Sequence, residues 1–334
     1  MNIAILSPVA RRTPPRHYGP WEQVASNITE GLVAAGINVT LFATQDSITA
    51  ANLDAVVEKG YEEDFNGDAK VIECLHISNL MEKAHEFDLI HNHFDFLPLT
   101  YSHLIYTPVL TTIHGFSSKK ILPVYRKYNG SSHYVSISNA DRSAELNYLA
   151  TVYNGLNLSD FSFTPVPKDY LLFFGRIHPD KGTADAISIA KKCKRRLLIA
   201  GIIQDQKYFN EQIQPELNDD IRYLGSAAPD ERRELLGNAY ALLHPIHFNE
   251  PFGLSVAEAM LCGTPVIAFN RGSMPELIKH QETGFLVNTV DEAVEAVSHI
   301  HSISRKSCNR WASTNFSQEK MVADYIECYQ TIIG

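Results

Sequence analysis

The chain runs twice through the same rhythm of short apolar strand and amphipathic helix, and that repetition limits the folds open to it. Residues 2–9 are almost wholly apolar and read as a buried strand. Residues 20–35 follow with Trp21, Val24, Ala25, Ile28 and Leu32 at three- and four-residue spacing, the period of a helix with one buried face. Pro20 suits the first helical turn and Gly36 the residue just past the last. With a second strand at 38–43 this makes a βαβ unit, whose crossover sets the two strands parallel. Further strands are expected at 89–93, 109–114 and 134–138. Around 161–168 the pattern lapses into Ser, Thr and Pro, the composition of a linker. The rhythm then restarts with a strand at 170–174 and a helix at Thr183–Cys193. Later strands are expected at 197–203, 221–224, 241–245, 265–269 and Gly284–Val287, and an amphipathic segment at 318–332. The expectation is an α/β chain of two Rossmann-like, doubly wound domains facing each other across a cleft, at 1–160 and 168–312. Ligands of such sheets lie beyond the carboxyl ends of the strands.

Composition narrows the function. The 334 residues suffice for two such domains, and a charged fraction of 20% is ordinary for a globular protein. A net charge of −9, with the first half acidic too, argues against a nucleic-acid partner or a basic half that hugs anionic lipid. Five scattered cysteines form no C-x-x-C pair and make a poor disulfide framework, which fits a reducing cytosol. The amino terminus has no charged region followed by a cleavage site, and no apolar run is long enough to span a bilayer. A cytoplasmic protein, at most peripherally bound to membrane, is expected.

The chemistry concentrates at predicted strand ends. In 247–260, His-Phe-Asn-Glu-Pro-Phe-Gly-Leu-Ser-Val-Ala-Glu-Ala-Met, two carboxylates, Glu250 and Glu258, are separated by seven residues. A Pro-Phe-Gly turn puts the first in a loop, and the Ala- and Met-rich run puts the second inside a helix. A helix start offers free N–H groups and a positive dipole end to a phosphate. Carboxylates on either side could then accept hydrogen bonds from hydroxyls, the layout of a nucleotide-sugar. Gly175-Arg176-Ile177-His178-Pro179-Asp180-Lys181-Gly182 likewise follows a strand and precedes a helix, with two permanent cations on one loop. Such cations stabilise negative charge as it develops on a departing diphosphate. His114 ends a strand in Thr111-Thr112-Ile113-His114-Gly115, where the glycine lets backbone approach a ligand. His91 and His93 share one strand face but find no third metal ligand, and the chain has no Asp-x-Asp.

The Glu250/Glu258 run and the Gly-Arg…Lys-Gly loop resemble the corresponding elements of family 4 retaining glycosyltransferases, and the His114-Gly115 pair resembles their His-Gly motif. Ser136-Ile137-Ser138, Asn154-Gly155 and the segment with Gly272, Ser273, Pro275 and Glu276 resemble further elements, so the likeness spans nearly the whole chain. It implies a GT-B fold with the acceptor on the first domain, the donor on the second, and a last helix, 316–334, packed back on the first. It implies catalytic roles for His114, Arg176, Lys181 and Glu250, and donor contacts from Gly19, Gly175, Phe252, Gly253, Leu254 and Glu258. Arg16, His17, Tyr18, Trp21, His93 and Asp95 are the acceptor-side candidates. Relatives often carry Gly-Gly where this chain has Gly19-Pro20, and proline removes one N–H from that loop. The implied reaction is transfer of a hexosyl unit from a UDP-, GDP- or ADP-sugar to a saccharide or glycoconjugate hydroxyl, by front-face attack, with no cofactor and no metal. A nucleotide-sugar epimerase, a phosphorylase and a non-catalytic nucleotide-sugar sensor stay open as alternatives. A dehydrogenase is disfavoured, because the first strand–helix turn lacks G-x-G-x-x-G.

Overall fold

The computed structural model describes residues 1–63, 67–116 and 118–334. They divide into two compact units, the first made of residues 1–155 with 318–334, the second of residues 156–317.

The first unit holds a seven-stranded sheet: β1 (Asn2–Leu6), β2 (Asn38–Phe42), β3 (Asn52–Asp54), β4 (Leu89–Asn92), β5 (Val109–Ile113), β6 (His133–Ser136) and β7 (Ala150–Thr151). Their order is β3-β2-β1-β4-β5-β6-β7, and every pairing is parallel. Both faces are covered, which is why β1 reads as a continuous apolar run rather than an alternation. Ile3 and Ile5 pack on one side with Val24, Ile28 and Leu32 of the helix Pro20–Ala34. Ala4 and Leu6 pack on the other with Ile77 and Leu80 of the helix Ala69–Glu82. The helix Gln318–Ile333 adds Met321, Val322, Tyr325 and Tyr329 to the first of these faces. Gly31 of Pro20–Ala34 gives it room, since a Cβ there would lie 2.5 Å from Val322.

The second unit holds β8 (Leu171–Phe174), β9 (Leu197–Ala200), β10 (Ile221–Tyr223), β11 (Ala241–His244), β12 (Val266–Phe269) and β13 (Gly284–Val287), all parallel in the order β10-β9-β8-β11-β12-β13. The helices Leu254–Leu261 and Arg305–Asn315 pack together on this unit, as do Thr183–Cys193 and Val290–His299.

The expected elements form, with strands shorter than their apolar runs. β1 stops at Leu6, where Pro8 has no N–H to continue the ladder. β9 stops at Ala200, and of the apolar residues beyond it Ile203 makes only an isolated bridge to Ile177. The larger difference is at the division of the chain, which falls at Gly155/Leu156 and not in the Pro-rich 161–168. That segment is tied into the second unit. Thr164 N–H donates to Cys262 O (3.0 Å) and Lys168 N–H to Asn238 O (2.7 Å). Arg305 clamps the same stretch, donating through Nε to Thr164 O (2.7 Å) and through its terminal nitrogens to Ala239 O (3.0 Å) and Gly237 O (2.5 Å). No helix among the described residues is long and apolar enough to cross a membrane.

Tyr329 is fully buried in the first unit, and its hydroxyl lies 2.7 Å from His91 Nδ1. Tyr329→Ala is expected to cost about 3–5 kcal/mol, the range for an aromatic removed from a core. Urea unfolding followed by near-ultraviolet circular dichroism measures this, and a loss below about 1 kcal/mol would show that the last helix adds little to the first unit.

Candidate active site

In the second unit the strand order reverses between β8 and β11, the position at which ligands of such sheets lie beyond the carboxyl ends of the strands. The β8 loop carries Gly175, Arg176 and a short turn, Pro179–Lys181, closed by Gly182. Gly182 has φ +73°, and a Cβ there would lie 1.9 Å from Pro245 O of the β11 loop, so only glycine lets the two loops meet. The meeting places Lys181 Nζ 2.5 Å from Glu250 Oε2, with both side chains 13% exposed. Lys181 also sits over the Phe248 ring, 4.5 Å from its centre. Arg176, on the same loop, donates to Gln204 Oε1 and is more exposed.

Glu250 is flanked on its other side by His244, the last residue of β11, whose Nε2 is 3.6 Å from the same carboxylate oxygen. Burial would push the Glu250 carboxyl up. The His244 contact and the Lys181 charge outweigh it and hold the group down at about 2. His244 itself is pushed below its usual value by burial, against the pull of Glu250. Glu250 is therefore an ionised, acceptor-only group at neutral pH.

The helix Leu254–Leu261 starts at Gly253, which has φ +95° and no side-chain cap. Val256 N–H donates to Gly253 O (3.0 Å), and Leu254 is half-buried at the first helical position. The start of this helix is thus a positive dipole end beside Glu250 and Lys181. Phe252 differs from the others, because its ring is buried against Phe316 (5.7 Å, edge-on) and only its backbone faces the turn. Glu258 lies one turn into the helix, 3% exposed, and its Oε1 accepts from Arg232 of the helix Pro229–Asn238. Beyond β12 and β13, Asn249, Phe269, Asn270, Arg271, Gly272 and Asn288 line an open polar cavity of about 340 Å³.

The first unit gathers its candidates at the carboxyl ends of β1, β4 and β5. His114 follows β5, and its Nε2 is 2.8 Å from His93 Nδ1 just beyond β4. Trp21 stacks on the His114 ring (5.6 Å, 22° between planes), so Trp21, His114 and His93 form one contiguous cluster. His91 packs under His93 at 4.1 Å and is itself held by Tyr329 Oη on Nδ1 and Thr112 Oγ1 on Nε2, both 2.7 Å. Burial pushes His91 and His93 well below the usual histidine range and His114 down to about 3. All three are neutral at pH 7. Asp95 has φ +76°, and its Oδ1 accepts from the Tyr125 hydroxyl. Burial raises its carboxyl to about 6, against that hydrogen bond.

The loop after β1 carries a buried carboxylate of its own. Gly19 caps the helix Pro20–Ala34, but the Glu22 carboxylate folds back beside it, with Oε2 only 2.9 Å from where a Gly19 Cβ would stand. Glu22 accepts backbone N–H groups of Glu22 and Arg11, and Pro20 has none to offer. The chain's own carboxylate thus lies at this helix start, beside the Gly19 expected to contact a diphosphate. Arg16 is exposed and committed to Asp46 (3.2 Å) and Glu63 (3.8 Å). His17 and Tyr18 are exposed, with Arg11 stacked on the Tyr18 ring at 5.6 Å. Among the described residues no group of three or more His, Cys, Asp or Glu is disposed to hold a metal ion.

Sequence reasoning did not single out Glu22, His244, Arg232 or the tyrosines behind His91. His244 was within reach, since it ends a strand six residues before Glu250 just as His114 ends its own. The others act through partners distant in sequence.

Residues 158–317, nearly all of the second unit, match the family model described as glycosyl transferases group 1. The chain is 28% identical over 219 residues to an uncharacterised 41.2 kDa protein in the cps region of Klebsiella pneumoniae, covering 60% of each. It is 24% identical over 248 residues to a D-inositol 3-phosphate glycosyltransferase of Pseudarthrobacter chlorophenolicus, covering 60% of this chain and 59% of that one. The aligned stretches thus span about three-fifths of these relatives' own lengths. Among solved structures, Anabaena HepE in complex with UDP and glucose superimposes with a TM-score of 0.78 at 20% identity, over 99% of this chain and 100% of that one. The two Rossmann-like parallel sheets are those of GT-B glycosyltransferase structures.

Burial, the largest influence, raises the Glu22 carboxyl to about 7, and Glu62 adds to it against the charge of Arg11. A folded-state value above the unfolded one means that the folded chain holds this proton more tightly, so the group's penalty grows as pH rises from about 4.5 to about 7 and is complete above that. Glu22→Gln is expected to match the parent at pH 4.5 and to be more stable at pH 8, by up to about 3 kcal/mol. Thermal melts at the two pH values test this. An equal effect at both would show that folding does not raise the Glu22 carboxyl.

Proposed function

We propose that this protein is a retaining glycosyltransferase that moves a hexosyl unit from a nucleotide-sugar to a saccharide or glycoconjugate hydroxyl. The observation that carries this reading is the convergence of Lys181, the uncapped start of Leu254–Leu261 and the ionised Glu250 at the switch point of the second sheet, with Arg176 on the same loop as Lys181. Two cations and a helix dipole suit a diphosphate, and they are already in place before charge develops on the leaving group, so little reorganisation is needed during reaction. Glu250 can only accept hydrogen bonds, which suits sugar hydroxyls. Glu258 accepts from Arg232 through Oε1, and in this reading its carboxylate also meets the ribose. The group 1 family match covers this same unit, and HepE, similar in fold, is described in complex with UDP and glucose.

In this reading, acceptor hydroxyl and leaving diphosphate share one face of the sugar, and a diphosphate oxygen takes the hydroxyl proton as the new bond forms. His114, neutral and stacked by Trp21, contacts the transferred sugar. The chemistry asked of the protein is charge stabilisation by Arg176 and Lys181, which needs no metal.

The Lys181–Glu250 pair gives a test that separates folding from function. Either Lys181→Ala or Glu250→Ala leaves an uncompensated, largely buried charge and is expected to cost about 3 kcal/mol of stability. The double variant should recover much of that loss, while transfer stays at least about a hundredfold below the parent in all three. Full activity in any of them would sink the site assignment. For the donor, melting temperatures are measured against UDP-, GDP- and ADP-sugars with EDTA throughout. One nucleotide class should raise the midpoint, equivalent to about 2.7 kcal/mol at a hundredfold excess over its dissociation constant. A shift abolished by EDTA would overturn metal independence, and no shift with any donor would count against a nucleotide-sugar ligand and return the phosphorylase reading to the fore.

A further inference from the structure

We propose that His93 is a positioning residue that fixes His114 in its Nδ1–H tautomer, so that His114 meets its ligand as a hydrogen-bond donor and never as a base. The proposal rests on the reading of His114 as a contact to the transferred sugar and adds to it the direction of that contact.

The argument is a proton count. A neutral imidazole carries one N–H and one lone pair. His93 Nδ1 and His114 Nε2 are 2.8 Å apart, so one of the two nitrogens holds a proton and the other accepts it. If His114 donates, the single proton of His93 must sit on Nε2. That nitrogen is buried and has no hydrogen-bond partner. An orphaned buried N–H costs about 1–3 kcal/mol, and orphaned donors are rarer in proteins than under-used acceptors. If His93 donates, its proton lies in the bond and only a lone pair is left in the apolar interior. The second arrangement therefore wins. It leaves His114 with its Nε2 lone pair occupied and its proton on Nδ1.

The surroundings close off the exceptions. His91, packed 4.1 Å from His93, cannot serve His93 Nε2, because its own nitrogens are taken by Tyr329 and Thr112. A doubly protonated imidazole is disfavoured, since burial pushes both rings far below neutrality. A flip of the His114 ring would break the bond to His93 while Trp21 covers one face. The group recognised at Nδ1 is therefore an acceptor oxygen, such as a sugar hydroxyl offering its lone pair.

The test is a two-bond ¹H–¹⁵N correlation spectrum of the full chain labelled with ¹⁵N-histidine at pH 7, with signals assigned by their loss in His93→Asn and His114→Asn. Nδ1–H patterns for both residues, the tautomer less populated in free histidine, are expected. An Nε2–H pattern for His114 would overturn the proposal. The functional half uses affinities for UDP-glucose and for UDP. His93→Leu should weaken UDP-glucose about three- to tenfold, the worth of one hydrogen bond, and leave UDP unchanged. His93→Asn, whose carboxamide can donate from nearly the same position, should restore most of the loss. Equal weakening of both ligands, or of neither, would overturn the positioning role. Failure of the unaltered protein to bind UDP-glucose would instead sink the donor reading, and it is read separately from the spectrum, which needs no ligand.

Discussion

Every strand in each sheet runs parallel to its neighbours, so every strand delivers its last residue to the same edge. Parallel strands need crossover helices, and those helices cover both faces of the sheet and exclude water from them. The carboxyl edge is then the place where polar side chains can meet a ligand without being trapped in the core. His114, His93, Gly175 and His244 all lie at or just past a strand end for this reason. The glycines that matter follow from the same constraint. Gly182 and Gly272 stand where two neighbouring strand-end loops nearly touch, and any Cβ would meet backbone oxygen.

Within that edge, burial sorts the ionisable groups by what each has beside it. Glu250 is buried next to a cation and stays charged. Glu22 is buried with only backbone N–H groups and a more distant arginine, and its affinity for a proton rises toward neutrality. The three histidines are buried with one another and with tyrosine and threonine hydroxyls, so they stay neutral. The second unit thus offers fixed charge and the first a neutral hydrogen-bonding array.

How far the sequence discloses this depends on the range of the interaction. The helix Pro20–Ala34 and the core strands are legible because periodicity and apolar runs are local. β3 and β7 are not, being three and two residues long and without buried side chains. The Pro-rich 161–168 reads as a linker by composition, yet backbone hydrogen bonds and Arg305, far along the chain, tie it to the second unit. The Glu250 site is legible because its loop and helix are contiguous. The pairing of Glu258 with Arg232 is not, since the arginine lies on another helix with no local signal. Glu22 looks like an ordinary first-turn acid, and only the loop folding over it makes it buried.

The chain leaves the first unit at Gly155 and returns to it at Gln318. A ribosome therefore makes all of the second unit before it makes Met321, Tyr325 and Tyr329, which complete one face of the first. The usual expectation that an amino-terminal domain folds while the rest is still being made does not hold for this face. Until synthesis passes Tyr329, the apolar side of Pro20–Ala34 and the ring of His91 lack their cover. The second unit, continuous in sequence, is free to fold earlier, so the order of maturation runs opposite to the order of the chain. Between those two moments the newly made first unit exposes an apolar stripe that a holdase chaperone would recognise.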